Sequence, residues 1–170
     1  WELDGLRLLF LHHLCHADVV LDLHCDFESI MLLYAMPQNW PRLRSLAARL
    51  GAGVALLAEA AGGNAFDEAC ALPWLQLAAR FPQANIPVAC AATTIELRGM
   101  ADTERETCVD SAQAILGYLA EQGLISGDWP AAPPGECEAT PFAGAQYASA
   151  PHAGVVSYLQ PLGARVQVGD

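Results

Sequence analysis

The stretch Val19-Val20-Leu21-Asp22-Leu23-His24-Cys25-Asp26 constrains this chain more than any other. It begins apolar and β-branched, the composition of a strand buried on both faces of a parallel sheet. Polar groups then arrive at every second position, as Asp22, His24 and Asp26. Alternation puts Asp22 and His24 on one face, at the carboxyl end of a core strand, where open α/β sheets bind their ligands. Two readings fit: a metal-ligating histidine oriented by the Asp22 carboxylate, or a core histidine hydrogen-bonded to Asp22.

Residues 86–97 are the second strongly strand-like stretch. They end in Thr93-Thr94-Ile95-Glu96-Leu97, with Thr94 and Glu96 on one face. A carboxylate closing an apolar strand needs a reason, because burying it unpaired is costly. Arg98 falls on the same face by alternation and offers a simple ion-pair partner; Gly99 then turns the chain.

Around these strands the chain alternates helix and strand, which predicts an α/β sheet over residues 1–126. A helix is expected over 3–15, with Leu6, Leu9, Phe10 and Leu14 as its apolar stripe. His12 and His16 stand four apart on it, without the intervening glutamate of an H-E-x-x-H metal motif, so a solvated histidine face is the simpler reading. Strands are expected over 30–35 and 53–57. A helix over 41–50 has Pro41 in its first turn and Gly51 beyond its end, with Arg42, Arg44 and Arg49 as a solvated face. Gly62-Gly63-Asn64 forms a loop that lacks the lysine of a phosphate-binding loop. A helix follows over 66–81 despite Pro73. The capping-box pattern Thr103-x-x-Glu106 opens another to about Gln122. Its expected stripe is Val109, Ala112, Ile115, Leu116 and Leu119, with Gly123 at its end. Residues 127–141 turn to Pro, Gly, Ala and Glu, a linker. Residues 142–170 alternate in short segments at 155–159 and 164–168, the pattern of a β-meander opening a small all-β domain.

Composition narrows the partners. The chain has 170 residues, 54% of them hydrophobic, enough for a sizeable core in one domain plus an appendage. No apolar run approaches the roughly 18 residues of a membrane span, and no export signal opens the chain. Its first residue is Trp1, as expected of a segment internal to a longer protein. The net charge is −11, with 19 acidic residues, eight arginines and no lysine. That balance argues against nucleic acid and against an anionic membrane surface. The six cysteines show no C-x-x-C pair, as expected of reduced thiols in the cytoplasm.

Three pieces, in order, resemble one family: V-V-L-D-L-H-C-D at 19–26, T-T-I-E-L at 93–97, and A-P-H-A-G-V-V-S-Y-L-x-x-L-G-A-R-V-x-x-G-D at 150–170. They are similar to the succinylglutamate desuccinylase/aspartoacylase family of zinc carboxypeptidase-like hydrolases. The resemblance implies a mixed sheet flanked by helices, followed by the start of a barrel-like β domain. It implies one Zn²⁺ per complete active site, with His24 as the third zinc ligand and Glu96 as general base. The substrate class implied is a small N-acyl amino acid or related amide or ester, with homo-oligomerisation left open. The family's early H-x-x-E pair and its Asn-Arg substrate motif have no match and are expected before Trp1. His12, His13 and His16 do not replace the pair, since none has glutamate three residues on. The chain thus reads as an internal fragment. Near the site Arg98 is expected to contact a substrate carboxylate or to pair with Glu96.

Such chemistry needs these groups. Zinc polarises a carbonyl and lowers the pKa of bound water, and a glutamate moves the water's proton to the leaving group. Three other readings compete. A catalytically inactive relative would use the fold as a scaffold or binding module. A thiol hydrolase would use Cys25, but neighbouring strand residues face opposite ways, so His24 is poorly placed to activate it. A biotinyl or lipoyl carrier would need a lysine, which the chain lacks.

Overall fold

The computed structural model describes residues 2–14, 16–62, 65–135 and 137–169. Strands β1 (Val19–Asp26), β2 (Met31–Ala35), β3 (Val54–Leu57), β4 (Ala91–Gly99) and β5 (Glu138–Pro141) form one sheet in the order β1-β4-β2-β3-β5. Only the β2–β4 pairing is antiparallel. Helices α1 (Glu2–Leu14), α2 (Trp40–Leu50), α3 (Phe66–Arg80) and α4 (Arg105–Glu121) flank it. This is the mixed α/β architecture expected.

The sheet's two faces are unequal. Met31, Leu33 and Ala35 of β2 and Ala91 and Ile95 of β4 pack against Leu43, Leu46, Ala47 and Leu50 of α2 and Ala114 and Tyr118 of α4. Leu33, Leu43, Leu46 and Ile95 are wholly buried, each such side chain being worth about 1.5–3 kcal/mol. The other face holds a smaller cluster of Val20, Ala92, Cys70 and Cys90, with Phe66 and Trp74 of α3 against it. That cluster covers the amino-terminal halves of β1 and β4. Their carboxyl-terminal halves carry Asp22, His24, Thr94 and Glu96 instead.

Helix α2 ties the layers together. Gly51 ends it at φ 65°, a left-handed conformation that favours glycine. The buried Asn39 amide, with its nitrogen toward the Cys90 carbonyl (3.3 Å) and its oxygen toward the Ala92 N–H (3.1 Å), holds β4. The solvated face expected of the arginines exists only at Arg44. Arg42 donates to the carbonyls of Ala89 (2.8 Å) and Asp18 (3.1 Å), clamping the approaches to β4 and β1. Arg49 pairs with Glu121 of α4 (3.0 Å) and donates to the Pro130 carbonyl (2.8 Å). It lies over Gly117, where an added Cβ would come within 2.7 Å of its Nη1.

Several expectations need correction. β1 lies at the sheet's edge, not buried on both faces: only Val20 is buried and Leu23 is 53% exposed. Helix α1 has no fully buried residue; Leu6, Leu9 and Phe10 are exposed, while Leu14 packs against the cluster of Val20, Cys70, Cys90 and Ala92. Helix α4 starts after Glu104, which makes no side-chain cap bond, so Thr103 stands one residue too early for a capping box. Its buried positions are Ala114, Gly117 and Tyr118; of the expected stripe Ile115 and Leu119 pack against the same core, while Val109, Ala112 and Leu116 are exposed. Gly117 leaves room there for the Arg49 guanidinium of α2 to lie against α4. β5 falls inside the stretch read as a linker and pairs with β3. No strand forms among described residues 145–169, where Val155, Leu159 and Val168 are exposed. No helix among the described residues is long and apolar enough to cross a membrane.

The asymmetry of burial gives a stability test. Leu33→Ala should lower unfolding free energy by about 2–5 kcal/mol, and Leu8→Ala, on exposed α1, by under about 0.5 kcal/mol. Denaturant titration of the two variants measures both.

Candidate active site

Alternation and register decide which polar groups meet. In the parallel β1–β4 pair Asp22 lies beside Thr94 and His24 beside Glu96. In the antiparallel β4–β2 pair Tyr34 lies beside Thr94. Odd-numbered neighbours such as Leu21, Leu33 and Ile95 enter the large core, so these even-numbered residues share the opposite face. There they line a cavity of about 470 Å³, walled by Asp67 and Glu68 of α3 and by Phe142.

His24 Nε2 lies 3.0 Å from Asp22 Oδ2, which orients the ring and leaves Nδ1 for another partner. The side chain is 51% exposed, which excludes the buried core histidine. Glu96 keeps one carboxylate oxygen, Oε2, shielded from solvent and without a partner. Burial raises its pKa above the ordinary carboxylate value; His24 opposes the rise, and Asp26 and Asp22 add to it. A carboxyl poised in this way can both accept and return a proton.

Arg98 is not where alternation put it. Its φ is 69°, in the left-handed region, and the β1–β4 register slips between His24 and Asp26. The backbone turn sends Arg98 to the α4 side, where its Nη1 donates to Ser111 Oγ at 3.3 Å. It joins Leu23 and Cys25 around a separate, largely apolar cleft. It therefore neither pairs with Glu96 nor faces the cavity.

Three contributors were not foreseen. Asp67 is 3% exposed and accepts from Thr94 Oγ1 at 3.4 Å. Burial lifts its pKa from 3.8 to about 6, against its backbone hydrogen bonds and with help from Glu68. Glu68, 8% exposed, accepts from the Ala61 N–H and so holds the loop ahead of α3. Tyr34 packs edge-on against Phe142 at 5.9 Å, and its phenol pKa is raised by burial and by the Glu96 charge. An acidic pair in a helix's first turn ordinarily answers the helix dipole. The local signal was that Asp67-Glu68 opens a helix otherwise rich in Ala, Leu and Cys. Gly63 and Asn64 of the preceding loop lie outside the described residues.

The donors fall short of a zinc centre by themselves. His24 offers one nitrogen, whereas a catalytic zinc takes about three protein ligands. Among the described residues no three His, Cys, Asp or Glu side chains are placed to hold a metal ion.

Asp67 gives the site a measurable pH signature. Its folded-state pKa lies above the unfolded 3.8, so the folded chain holds the proton more tightly. The associated stability is full below the unfolded value and is lost as pH rises through about 6. Asp67→Asn should match the parent near pH ~4 and exceed its stability by about 2–3 kcal/mol above pH ~7. Denaturant melts across that range read the difference.

No protein-family model matches the sequence, and no curated protein does. Solved structures do. A protein from Shewanella frigidimarina NCIMB 400, named as a succinylglutamate desuccinylase/aspartoacylase, is 26% identical with a TM-score of 0.76; the match covers 94% of this chain and 41% of that one. A succinylglutamate desuccinylase/aspartoacylase family protein from Shewanella amazonensis SB2B is also 26% identical, with a TM-score of 0.75 and coverage of 95% and 51%. The ectoine utilization protein EutE (DoeB) from Ruegeria pomeroyi shares the fold alone, at 12% identity and a TM-score of 0.51 over 76% of this chain. The chain spans about half the length of the first two. With its mixed sheet, its flanking helices and this agreement over nearly its whole length, the chain has the succinylglutamate desuccinylase/aspartoacylase fold.

Proposed function

We propose that the chain is part of a zinc-dependent hydrolase that cleaves an N-acyl amino acid or a related amide or ester. One observation carries the reading. His24 and Glu96 sit side by side at the carboxyl ends of two parallel strands, facing one cavity, and Glu96 holds a buried oxygen with no partner. The fold's kinship with desuccinylase/aspartoacylase proteins supports it.

In this reading Glu96 is the general base. It takes a proton from water as the water oxygen bonds to the acyl carbon, then delivers that proton to the departing nitrogen or oxygen as the old bond breaks. Its raised pKa suits both halves of that task. Asp22 fixes the His24 ring, and Tyr34 and Phe142 give the cavity an aromatic wall. His24 would be one metal donor, with the remaining donors outside the described residues. Zinc, when bound, polarises the carbonyl and acidifies water. The rival reading is an inactive scaffold, favoured by the lack of a three-donor group among the described residues.

Variants of the full-length protein separate these. Glu96→Gln should leave fold and zinc content intact and lower kcat by at least about a hundredfold. His24→Ala should lose zinc and activity together. Arg98→Ala should leave kcat and KM unchanged, since its guanidinium lies on the other face. A parent protein that neither retains zinc after dialysis nor hydrolyses any N-acyl amino acid would establish the scaffold instead.

A further inference from the structure

The sheet face that carries the cavity also buries two thiols that the hydrolytic steps do not use. Cys70 lies in the second turn of α3 and Cys90 immediately ahead of β4; both are free and wholly buried. They meet in the cluster with Val20 and Ala92. The Cys70 thiol donates a hydrogen bond to the Cys90 sulfur, and Cys90 Sγ donates to the Leu14 carbonyl at 3.7 Å. Sulfur-to-sulfur contact between two elements is what a disulfide requires of its parent thiols.

The two thiols are not equivalent. The hydrogen bond from Cys70 holds the Cys90 pKa below the ordinary thiol value; burial opposes this, the Arg42 charge supports it and the Asp18 charge opposes it. The thiolate is the reactive form, so Cys90 is the nucleophile and Cys70 the neighbour that resolves it. Their cover is thin. Helix α1 has no fully buried residue, yet its last residue, Leu14, packs on the cluster and accepts the Cys90 bond. An element with so little buried surface opens locally at small cost.

We propose that Cys70 and Cys90 are a reversible redox pair, oxidised by peroxide to a disulfide that fastens α3 to β4. The Cys90 thiolate attacks one peroxide oxygen, the O–O bond breaks, and hydroxide leaves, taking up a proton as water. The Cys70 sulfur then attacks the sulfur of the Cys90 sulfenic acid. The S–O bond breaks, the S–S bond forms, and a second water departs with the Cys70 proton. Two thiols lose two electrons and one peroxide gains them; a dithiol reductant reverses the change. The link lies one helical turn beyond Asp67, whose carboxylate already accepts from Thr94 of β4. It therefore locks this wall of the cavity to the sheet, independently of whether the cavity hydrolyses an acyl group.

Arg49, Arg80 and Arg98 place Cys70 and Cys90 in separate tryptic peptides, 50–80 and 81–98, each with a single cysteine. The folded full-length protein is treated with hydrogen peroxide, its remaining thiols are alkylated in denaturant, and the digest is read by mass spectrometry. Peptides 50–80 and 81–98 should appear joined, and dithiothreitol should part them. Oxidation should also raise the folding equilibrium constant by about a hundredfold, through the loop closed between positions 70 and 90, read as a shift of the denaturant midpoint. Cys90→Ala should abolish both the link and the shift. Cys108→Ala, at an exposed thiol on the other face, should keep both. Alkyl groups on both peptides, or a join of either one to a peptide bearing Cys25 or Cys108, overturns the pair. So does a link that forms only in unfolded protein, since the folded contact then plays no part.

Discussion

Parallel pairing of β1 with β4 in one register underlies everything at the site. It sets His24 beside Glu96 and Asp22 beside Thr94. A shift of one residue would send each of these groups to the other face, into the cluster of Leu33, Leu43 and Ile95. That core holds the register in place, because odd-numbered residues of both strands feed it. The site is therefore the reverse side of the packing that stabilises the sheet.

The amino ends of the two strands are clamped independently. Arg42 binds carbonyls ahead of both, and Asn39 binds the backbone of β4. At the carboxyl ends the register slips, Arg98 takes a left-handed conformation, and the Gly99 N–H donates to the Asp102 carboxylate at 2.9 Å. Rigid at one end and irregular at the other, the pair presents its polar groups where alternation gives way. A non-glycine residue at positive φ is uncommon and costs energy. Here it turns a guanidinium away from Glu96, whose carboxyl burial holds above its ordinary pKa.

The cavity's acidity comes from two separate parts of the chain. Asp22 and Glu96 project from the sheet, while Asp67 and Glu68 arrive from the first turn of α3. Helix α3 is held against β1 and β4 by Cys70, Phe66 and Trp74, so the acidic pair is positioned by apolar packing rather than by ion pairs.

Much of this was legible in the residues. The apolar runs, the prolines and glycines at element ends, and the period-two placement of Asp22, His24, Thr94 and Glu96 follow from local sterics and alternation, which act over a few residues. They set the α/β class, the strand positions and the two polar strand ends. Other features depend on what lies across the fold, which no local pattern encodes. Arg49 became a tie between two helices because Gly117 and Glu121 of α4 lie against it. The α4 stripe shifted because Ala114, Gly117 and Tyr118 meet the core that α2 also packs on. β1 became an edge, and the apolar segments near the end formed no strand, because pairing partners are a matter of tertiary arrangement. Asp67 and Glu68 entered the site only when α3 packed beside the sheet. Sequence determined which groups point the same way along a strand; tertiary structure decided which strands and helices those groups would meet, because such contacts join residues far apart in the chain.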